Sequence, residues 1–498
     1  MRERRRRAET LVRIQKERIP HLFVGGLDVE SEANATLLVT NPADKEPLGR
    51  CPAANARDVH KAVEAARGAF EATWRDTSAR ERGRALVALA EAVEHRAEDL
   101  AILEALQTGK TFREVLDEDI LRGARALRHF AGWADKHPGE LVPLEGGIEG
   151  RVHREPVGVV ASVLPWSAPF LSAMEKVGAA LISGSTLLLQ PPEQAPLTVL
   201  ALGEMTREAN LPPGVLNVIT GTGSVAGEAL ATHPLVGVMT FAGPMDWARR
   251  MLLGAAKSNL KPVHFELGDK TPCIVFEDAD RRAALEAVAT SIFTSRAVLP
   301  TAASRLLVHE SHYEEAASVL AARAKQVVVG DALDEHTELG PMISEEHLKR
   351  VLAYVELGRR EGAKLVAGGV RDTDGAKAMG AFMRPTVFVD AKPKMRVTRE
   401  EIAGPVLTIT PFKSEDEAVA LANDTDYGLA AAVWTKDLAR AQRVGRRLQA
   451  GVVWINGLGQ SDPALPFGGT RLSGQGRSYG REALQQLTRT RSVYVSSK

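Results

Sequence analysis

One glycine-rich segment stands out among the residues that could do chemistry. Residues 221–227, with the sequence GTGSVAG, follow a short apolar run and precede a helix-like stretch. Backbone N–H groups at such a turn can approach a phosphate, which makes Gly223 a candidate binding residue. The spacing differs from the G-x-G-x-x-G pattern of dinucleotide sites, because the third glycine comes one residue late. Taken alone, the segment is better explained as a tight strand-to-helix turn.

The cysteine count and the charge exclude several other classes of site and partner. Cys51 and Cys273 are the two thiols among 498 residues, too far apart in sequence to predict a disulfide framework or a zinc site. We therefore expect no metal, and a reducing cytoplasm as the setting. Lys+Arg and Asp+Glu both number 63, and no apolar run approaches the ~20 residues of a membrane span. Neither a nucleic acid nor a membrane is an expected partner.

The basic start of the chain is predicted to be disordered. Residues 2–7 read RERRRR, and no apolar stretch of the kind found in secretory signals follows them. We predict a solvated, disordered leader over residues 1–19. The alternative is a weak anchor for an acidic partner or surface.

The elements that would position a binding site follow a β-α-β order. Apolar residues at helical spacing predict helices within 56–135, with Ser78 as an N-cap. From 157 to 276, short apolar runs alternate with helix-like segments, which predicts a parallel sheet covered by helices on both faces. A second alternating region, 277–465, predicts a second α/β domain, and residues 489–496 predict one strand. Ligands of such sheets bind at the carboxyl ends of the strands.

Several motifs along the chain resemble those of the aldehyde dehydrogenase superfamily. They are PWSAPF at 165–170, QPPE at 190–193, FAGPMDW at 241–247, ELGDKTP at 266–272, EEIAGPV at 400–406, NDTDYGL at 423–429 and PFGGTRLSGQGR at 466–477. The resemblance covers about residues 20–495, nearly the whole chain.

The resemblance implies an α/β fold of three parts. A Rossmann-type parallel-sheet domain that binds NAD would comprise 20–137 and 157–264, and an α/β catalytic-type domain would comprise 265–480. A β-ribbon oligomerisation segment would join 138–156 to 481–498. Members of the family pair through this ribbon, so the resemblance also implies a homodimer or tetramer.

The slot of the family's nucleophile holds a proline in this chain. The family pattern G-Q-x-C-x-A-G-S-R carries the reactive cysteine, and alignment on Ser304 and Arg305 places Pro300 in that slot. The interval from Glu266 to Pro300 has the family's length, so the alignment needs no gap. Proline has no thiol, hydroxyl or amine that could attack a carbonyl. The neighbouring Thr301 has no evident base to activate its hydroxyl.

Two further catalytic slots are implied by the resemblance. Ser167 takes the place of the asparagine that donates a hydrogen bond to the oxyanion, and a short, freely rotating hydroxyl is a poorer preorganised donor. Ser167 could also be only a polar loop residue. Glu266 matches the general base that activates water for deacylation, a task that disappears without an acyl-enzyme. It could still act as a base, or it could have only a structural role.

The cofactor slots are partly kept. The residues implied are Trp166, Gln190, Glu193, Gly223, Gly243, Leu267 and Glu401. Glu193 would bind ribose hydroxyls and favour NAD over NADP, although it could instead be an acid at a helix N-terminus. Pro244 replaces a serine that faces the pyrophosphate, and Ala403 replaces a phenylalanine that packs on the nicotinamide ring. We therefore expect NAD binding, if retained, to be weakened.

Two hypotheses about function follow from this pattern. In the first, the chain is a pseudoenzyme of the family that acts as a binding, regulatory or structural partner. In the second, it is an NAD(P)-dependent oxidoreductase that works without a covalent intermediate, with Glu266 activating water to hydrate an aldehyde. The first is favoured because the substitutions fall on the reaction and cofactor path while the scaffold motifs survive.

Overall fold

Four sheets form in residues 2–19 and 21–496, which the computed structural model describes. The strands are β1 (Leu22–Val24), β2 (Leu27–Val29), β3 (Thr36–Thr40), β4 (Pro47–Pro52), β5 (Glu140–Pro143), β6 (Ile148–Pro156), β7 (Val159–Val163), β8 (Thr186–Gln190), β9 (Leu216–Val218), β10 (Val236–Ala242), β11 (Val263–Glu266), β12 (Pro272–Val275), β13 (Arg305–His309), β14 (Lys364–Ala367), β15 (Thr386–Val389), β16 (Val406–Phe412), β17 (Ala430–Trp434), β18 (Val452–Ile455) and β19 (Thr488–Ser496).

The helices fill the connections between these strands. They are α1 (Arg2–Glu17), α2 (Ala56–Ala72), α3 (Ala79–His95), α4 (Ala97–Thr108), α5 (Phe112–Glu114), α6 (Leu121–Ala131), α7 (Pro169–Ile182), α8 (Leu197–Leu200), α9 (Leu202–Glu208), α10 (Glu228–Thr232), α11 (Met245–Ala256), α12 (Arg281–Phe293), α13 (Tyr313–Gln326), α14 (Glu345–Arg360), α15 (Arg396–Arg399), α16 (Glu415–Asn423), α17 (Leu438–Arg447) and α18 (Gly480–Gln486).

Two seven-stranded sheets form the two main layers. The first has the order β11-β10-β7-β8-β9-β1-β2, and its five strands from β11 to β9 are parallel. Strand β8 is buried at every position, as expected for a parallel strand with helices on both faces. The second sheet has the order β14-β15-β16-β13-β12-β17-β18, and only the pairing of β14 with β15 is antiparallel within it. The predicted α/β fold with two sheet domains is confirmed.

The chain passes from the first sheet to the second between Glu266 and Pro272. Glu266 ends β11, the edge strand of the first sheet, and Pro272 begins β12 near the middle of the second. The connecting loop therefore lies between the two sheets. This location places the Glu266 carboxylate, and the loop around Pro300 that precedes β13, at the junction of the two layers.

Local sequence explains where several helices begin. Ser78 caps α3 in a capping box with Glu81, so the predicted N-cap is confirmed. A second capping box, Asn55 with Asp58, starts α2. Helix α7 has a proline at its first position, where the missing N–H has no cost, and it starts directly after the loop that carries Ser167.

The prediction of a disordered leader is wrong for residues 2–17, which form α1. The helix docks through its arginines: Arg7 pairs with Glu98 and Asp99 at the start of α4, and the Arg4 guanidinium lies 3.9 Å from the centroid of the Phe112 ring. These contacts give two of the basic side chains partners within the folded protein.

The third sheet is antiparallel and largely exposed. Strand β19 pairs along its full length with β6, and β6 pairs with β5 on its other side. The predicted C-terminal strand is confirmed. Its role in oligomerisation stays a prediction. No helix in the described part of the chain is both long and apolar enough to cross a membrane.

Candidate functional site

A cleft opens where parallel strands of the first sheet end. It has a volume of about 390 Å³ and lies at the carboxyl ends of β7, β8 and β10, with α14 on its far side. Its walls include five of the predicted cofactor residues: Trp166, Gln190, Glu193, Gly223 and Gly243. The fold brings these residues together because parallel strands direct the loops that follow them to one edge of the sheet.

Polar groups at one end of the cleft already have partners within the protein. The Glu193 carboxylate accepts a hydrogen bond from the Gly223 N–H at 2.9 Å, and Gln190 Nε2 donates to the Gly221 carbonyl at 3.2 Å. The Gln190 side-chain oxygen is buried and has no hydrogen-bond partner. This end of the cleft therefore keeps a carboxylate and one unpaired acceptor that a ligand donor could use.

An indole ring occupies space beside the glycine-rich turn. A Cβ added to Gly223 would lie 3.6 Å from the Trp247 ring, and the Arg250 guanidinium covers that ring at 4.6 Å from its centroid. The ring is thus packed between the turn and a cation. Any planar ligand group that enters here must share the space with Trp247.

The helix that follows Gly243 begins without a polar cap. Pro244 precedes α11 with extended backbone angles and makes no side-chain cap hydrogen bond. The helix forms despite this proline, which stands one position before the first helical residue. The N–H and hydroxyl that a serine would present to a phosphate are absent at this position.

A histidine closes the other end of the cleft. The His347 ring lies 4.9 Å from the Trp166 ring between centroids, and its Nε2 lies 2.7 Å from the Ala403 carbonyl oxygen. Ala403 has a left-handed φ of 55°, which turns this carbonyl toward the histidine.

Two of the predicted cofactor residues lie outside the cleft. Leu267 lines a separate cavity, and Glu401 packs against Gly268, where any side chain would overlap the Glu401 carboxylate. Burial raises the pKa of Glu401 to about 7, although the Arg350 charge and a hydrogen bond from the Asp269 backbone oppose the shift.

The separate cavity contains the three predicted catalytic slots. It has a volume of about 150 Å³, and its walls include Ser167, Glu266 and Pro300. The cleft and this inner cavity are both bordered by Pro165 and Ala242. The Pro300 carbonyl accepts a hydrogen bond from Thr271 Oγ1 at 3.2 Å, which fixes the loop against the start of β12.

The Glu266 carboxylate is held by two side chains that the sequence analysis missed. It accepts hydrogen bonds from the Lys176 ammonium and from the Ser478 hydroxyl, and Lys176 also donates to Ser478 at 2.7 Å. Lys176 lies on α7, where it and Glu175 interrupt an otherwise apolar run. Charged residues inside an apolar helix are the signal that could have predicted a buried partner.

Neither thiol of the chain lies at the predicted catalytic slots. Cys51 and Cys273 are both 0% exposed, and neither lines the inner cavity. Burial raises the pKa of each thiol to about 12, so both stay protonated and unreactive at neutral pH. Within the described residues no group of three or more His, Cys, Asp or Glu side chains could hold a metal ion.

Comparisons with known proteins agree with this architecture. The model of the Aldehyde dehydrogenase family matches residues 29–493. The chain is 41% identical over 476 residues to an aldehyde dehydrogenase of Enchytraeus buchholzi, covering 95% of each chain. It is 40% identical over 488 residues to phenylacetaldehyde dehydrogenase of Pseudomonas fluorescens, covering 96% of each.

A solved structure extends the likeness to three dimensions. The NAD+ complex of an aldehyde dehydrogenase from Bacillus cereus superimposes with a TM-score of 0.95 at 37% identity, covering 98% of both chains. Fold, motifs and length all agree, and the resemblance seen in the sequence is confirmed: this chain belongs to the aldehyde dehydrogenase family.

Proposed function

We propose that this chain is a pseudoenzyme of the aldehyde dehydrogenase family, with a binding, regulatory or structural role in place of covalent aldehyde oxidation. The observation that carries the proposal is the presence of Pro300 in the wall of the cavity that also holds Ser167 and Glu266. A proline there supplies no nucleophile, and the thiols of the chain are buried elsewhere.

The cofactor cleft supports the same proposal. Relatives in the family bind NAD, and the carboxylate of Glu193 suits the ribose of an adenosine. Pro244 removes the donors at the pyrophosphate position, while the contact of His347 with Trp166 narrows the end where a nicotinamide would lie. The residues present fit the adenosine half of NAD and do not fit the other half, so we propose a weakened NAD site.

Turnover assays with matched variants test the proposal. The wild-type protein, given NAD or NADP and a panel of aldehydes, is expected to form no NADH or NADPH. Pro300→Cys is expected to add a slow activity, and a further Ser167→Asn change should raise it by about 10²–10³ through the better oxyanion donor. Pro300→Ala is the control, because it enlarges the cavity without supplying a thiol.

Calorimetric titration with NAD and NADP measures the cofactor site separately. We expect weak binding of NAD and weaker binding of NADP, because the Glu193 carboxylate repels a 2′-phosphate. Tight NAD binding by the wild-type protein, comparable to that of an active relative measured alongside it, would contradict the weakened site.

The second candidate is a non-covalent oxidoreductase. It is favoured by Glu266, which reaches the same cavity as Pro300 and could take a proton from water as that water adds to an aldehyde. Against it, the Lys176 ammonium and Ser478 hydroxyl already hold this carboxylate. Aldehyde-dependent NADH formation by the wild-type protein that disappears in Glu266→Gln would establish this candidate and remove the first.

We further propose that the protein is a homodimer or tetramer of the reducing cytoplasm. The exposed antiparallel sheet, with Leu141 at 68% and Tyr494 at 72% exposure, supports association between copies. The two unpaired, buried cysteines support a reducing compartment.

A further inference from the structure

The inner cavity adjoins a second space whose walls carry three arginines. This space, here called the vestibule, has a volume of about 540 Å³ and is lined by Glu118, Arg122, Arg125, His129, Arg296 and the loop 458–463. Glu118, Arg122 and Arg296 border both the vestibule and the inner cavity. A ligand that reaches Pro300 through the vestibule must therefore pass these charges.

The vestibule has more cationic groups than carboxylates to neutralise them. Glu118 is shared by two arginines, with 3.5 Å to Arg122 Nη1 and 3.1 Å to Arg296 Nη2. Arg125 is exposed and makes no ion pair within the described residues. Asp462, the other carboxylate of the vestibule wall, instead accepts a backbone hydrogen bond from Ala464. Three guanidinium groups thus face two carboxylates.

Most acidic groups of the inner cavity do not offset this excess, because they already have partners. The exception is Glu114, whose Oε1 is buried without a hydrogen bond 3.8 Å from Lys110 Nζ, and burial raises the pKa of this carboxyl to about 7. Asp119 accepts two hydrogen bonds from Lys110, at 2.6 and 2.9 Å, and the Glu175 carboxylate accepts one from the Tyr479 hydroxyl. Arg122, in contrast, has a buried Nε with no hydrogen-bond acceptor. Burial lowers the pKa of His129, so the imidazole adds no charge at neutral pH.

The wall of the inner cavity also presents several apolar side chains. Its larger apolar side chains are Leu171, Leu267, Leu299, Leu429, Trp454 and Phe467. These side chains surround about 150 Å³, which is space for a chain of a few carbon atoms. The combined shape is a short apolar channel with a cationic mouth.

We propose that the inner cavity and vestibule together bind a short hydrocarbon chain that carries a carboxylate at one end. The carboxylate lies in the vestibule between Arg122, Arg125 and Arg296, and the hydrocarbon part extends toward Pro300. Guanidinium groups recognise carboxylates through paired N–H donors, and the apolar walls exclude a ligand that is charged along its length. The assignment rests on the proposed function, because it treats the cavity as a binding site for a ligand that is not oxidised.

Calorimetric titration of the full-length protein with hexanoate and with hexan-1-ol tests the proposal directly. Hexanoate is expected to bind at least about tenfold more tightly, because charge-assisted hydrogen bonds form only with the carboxylate. Added salt should reduce the preference, since the vestibule is open to solvent. Equal affinities, or no binding of either compound, would overturn the proposal.

Variants separate recognition of the carboxylate from a general effect on folding. Arg125→Gln, at an exposed position, is expected to weaken hexanoate binding several-fold and to leave the affinity for hexan-1-ol unchanged. If neither Arg125→Gln nor Arg122→Gln changed the affinity for hexanoate, the result would contradict the site. Glu118→Gln is expected to strengthen hexanoate binding, because it frees two arginines from their shared partner. Arg249→Gln on α11, also exposed, is the matched control and should change nothing.

The outcome is independent of the turnover assays. These titrations contain no NAD and no aldehyde, so aldehyde oxidation by the wild-type protein would remove the pseudoenzyme proposal without changing the expected preference for hexanoate. Conversely, an inactive protein that binds hexanoate and hexan-1-ol equally would retain the proposed function and lose the ligand assignment.

Discussion

At the residue scale, the chemistry of the chain depends on which thiols a reagent can reach. The two native cysteines are fully buried, with pKa values raised to about 12 by burial, whereas Pro300 lines a cavity. A thiol-specific disulfide reagent is therefore expected to label no cysteine in the folded wild-type protein and one in Pro300→Cys. The control is the unfolded wild-type protein, in which the reagent should label both cysteines. Rapid labelling of the folded wild-type protein would contradict the burial of the two cysteines.

A buried lysine gives a prediction about the dependence of stability on pH. Burial and the neighbouring Arg305 charge lower the pKa of Lys270 to about 7, and its Nζ has no hydrogen-bond partner. Between about pH 7 and the unfolded value of about 10.4, the unfolded chain binds a proton that the folded protein does not. The free energy of unfolding should therefore rise with pH across this window through this group.

Lys270→Met removes this dependence. The variant is expected to be more stable than wild type at pH 7 by about 1–3 kcal/mol, and the difference should shrink as pH rises toward 10. Urea unfolding at several pH values measures both quantities. Lys257→Met, at an exposed position, is the matched control. If the variant were less stable than wild type at pH 7, the result would contradict the argument that the buried Lys270 amine, without a hydrogen bond, destabilises the folded protein.

Sequence motifs predicted which residues meet at the inner cavity, but they did not predict the side chains that bind the Glu266 carboxylate. Ser167, Glu266 and Pro300 come together as the resemblance implied, because each follows or precedes a strand whose place in the sheet is fixed. Lys176 and Ser478, which bind Glu266, are separated by 302 positions in the chain. No local pattern encodes such a pair, since only the packing of the two sheets brings it together.

At the element scale, α1 is the clearest error of the sequence analysis. Five arginines among residues 2–7 suggested a solvated, disordered leader, yet acceptors for several of them lie on α4 and on the loop that contains Leu333. A composition argument counts charges and cannot locate their partners. The helix connects the first-sheet layer to residues of the second, so it stabilises their relative positions.

Arg4 should carry a measurable part of this stabilisation. Its guanidinium covers the Phe112 ring and donates to the Leu333 carbonyl at 2.9 Å. We expect Arg4→Ala to lower the free energy of unfolding by about 1 kcal/mol. Arg6→Ala, an exposed arginine of the same helix, should have little effect. If the two variants lowered the free energy of unfolding equally, the effect would come from the net charge of the helix and not from the contacts of Arg4.

At the scale of the whole molecule, the order of apolar runs predicted the fold well. Parallel sheets give a strong signal because both faces of each strand are buried, so strands such as β8 are apolar throughout. The antiparallel third sheet was predicted less fully, since β5 is exposed at every position and β6 is mostly half-buried and carries four charged residues. The pairing of β6 with β19 depends on residues over 300 positions away.

This third sheet leads to a prediction about assembly. Sedimentation velocity is expected to show a dimer or tetramer for the wild-type protein, and Leu141→Asp should shift the distribution toward monomer because it places a charge on the exposed sheet. Leu438→Asp on α17 is the control, with a similar exposure of 66%. A monomeric wild-type protein, or identical behaviour of both variants, would contradict association through this sheet.

The internal hydrogen bonds of the cofactor cleft also have a kinetic consequence. A ligand that extends past Trp166 must move His347 away from its hydrogen bond with the Ala403 carbonyl and its contact with the Trp166 ring. Binding is then limited by how often the protein releases these contacts, and the apparent affinity is reduced by the fraction of molecules in the released state. In stopped-flow mixing, the observed association rate should level off as ligand concentration rises, at the rate with which the protein itself opens.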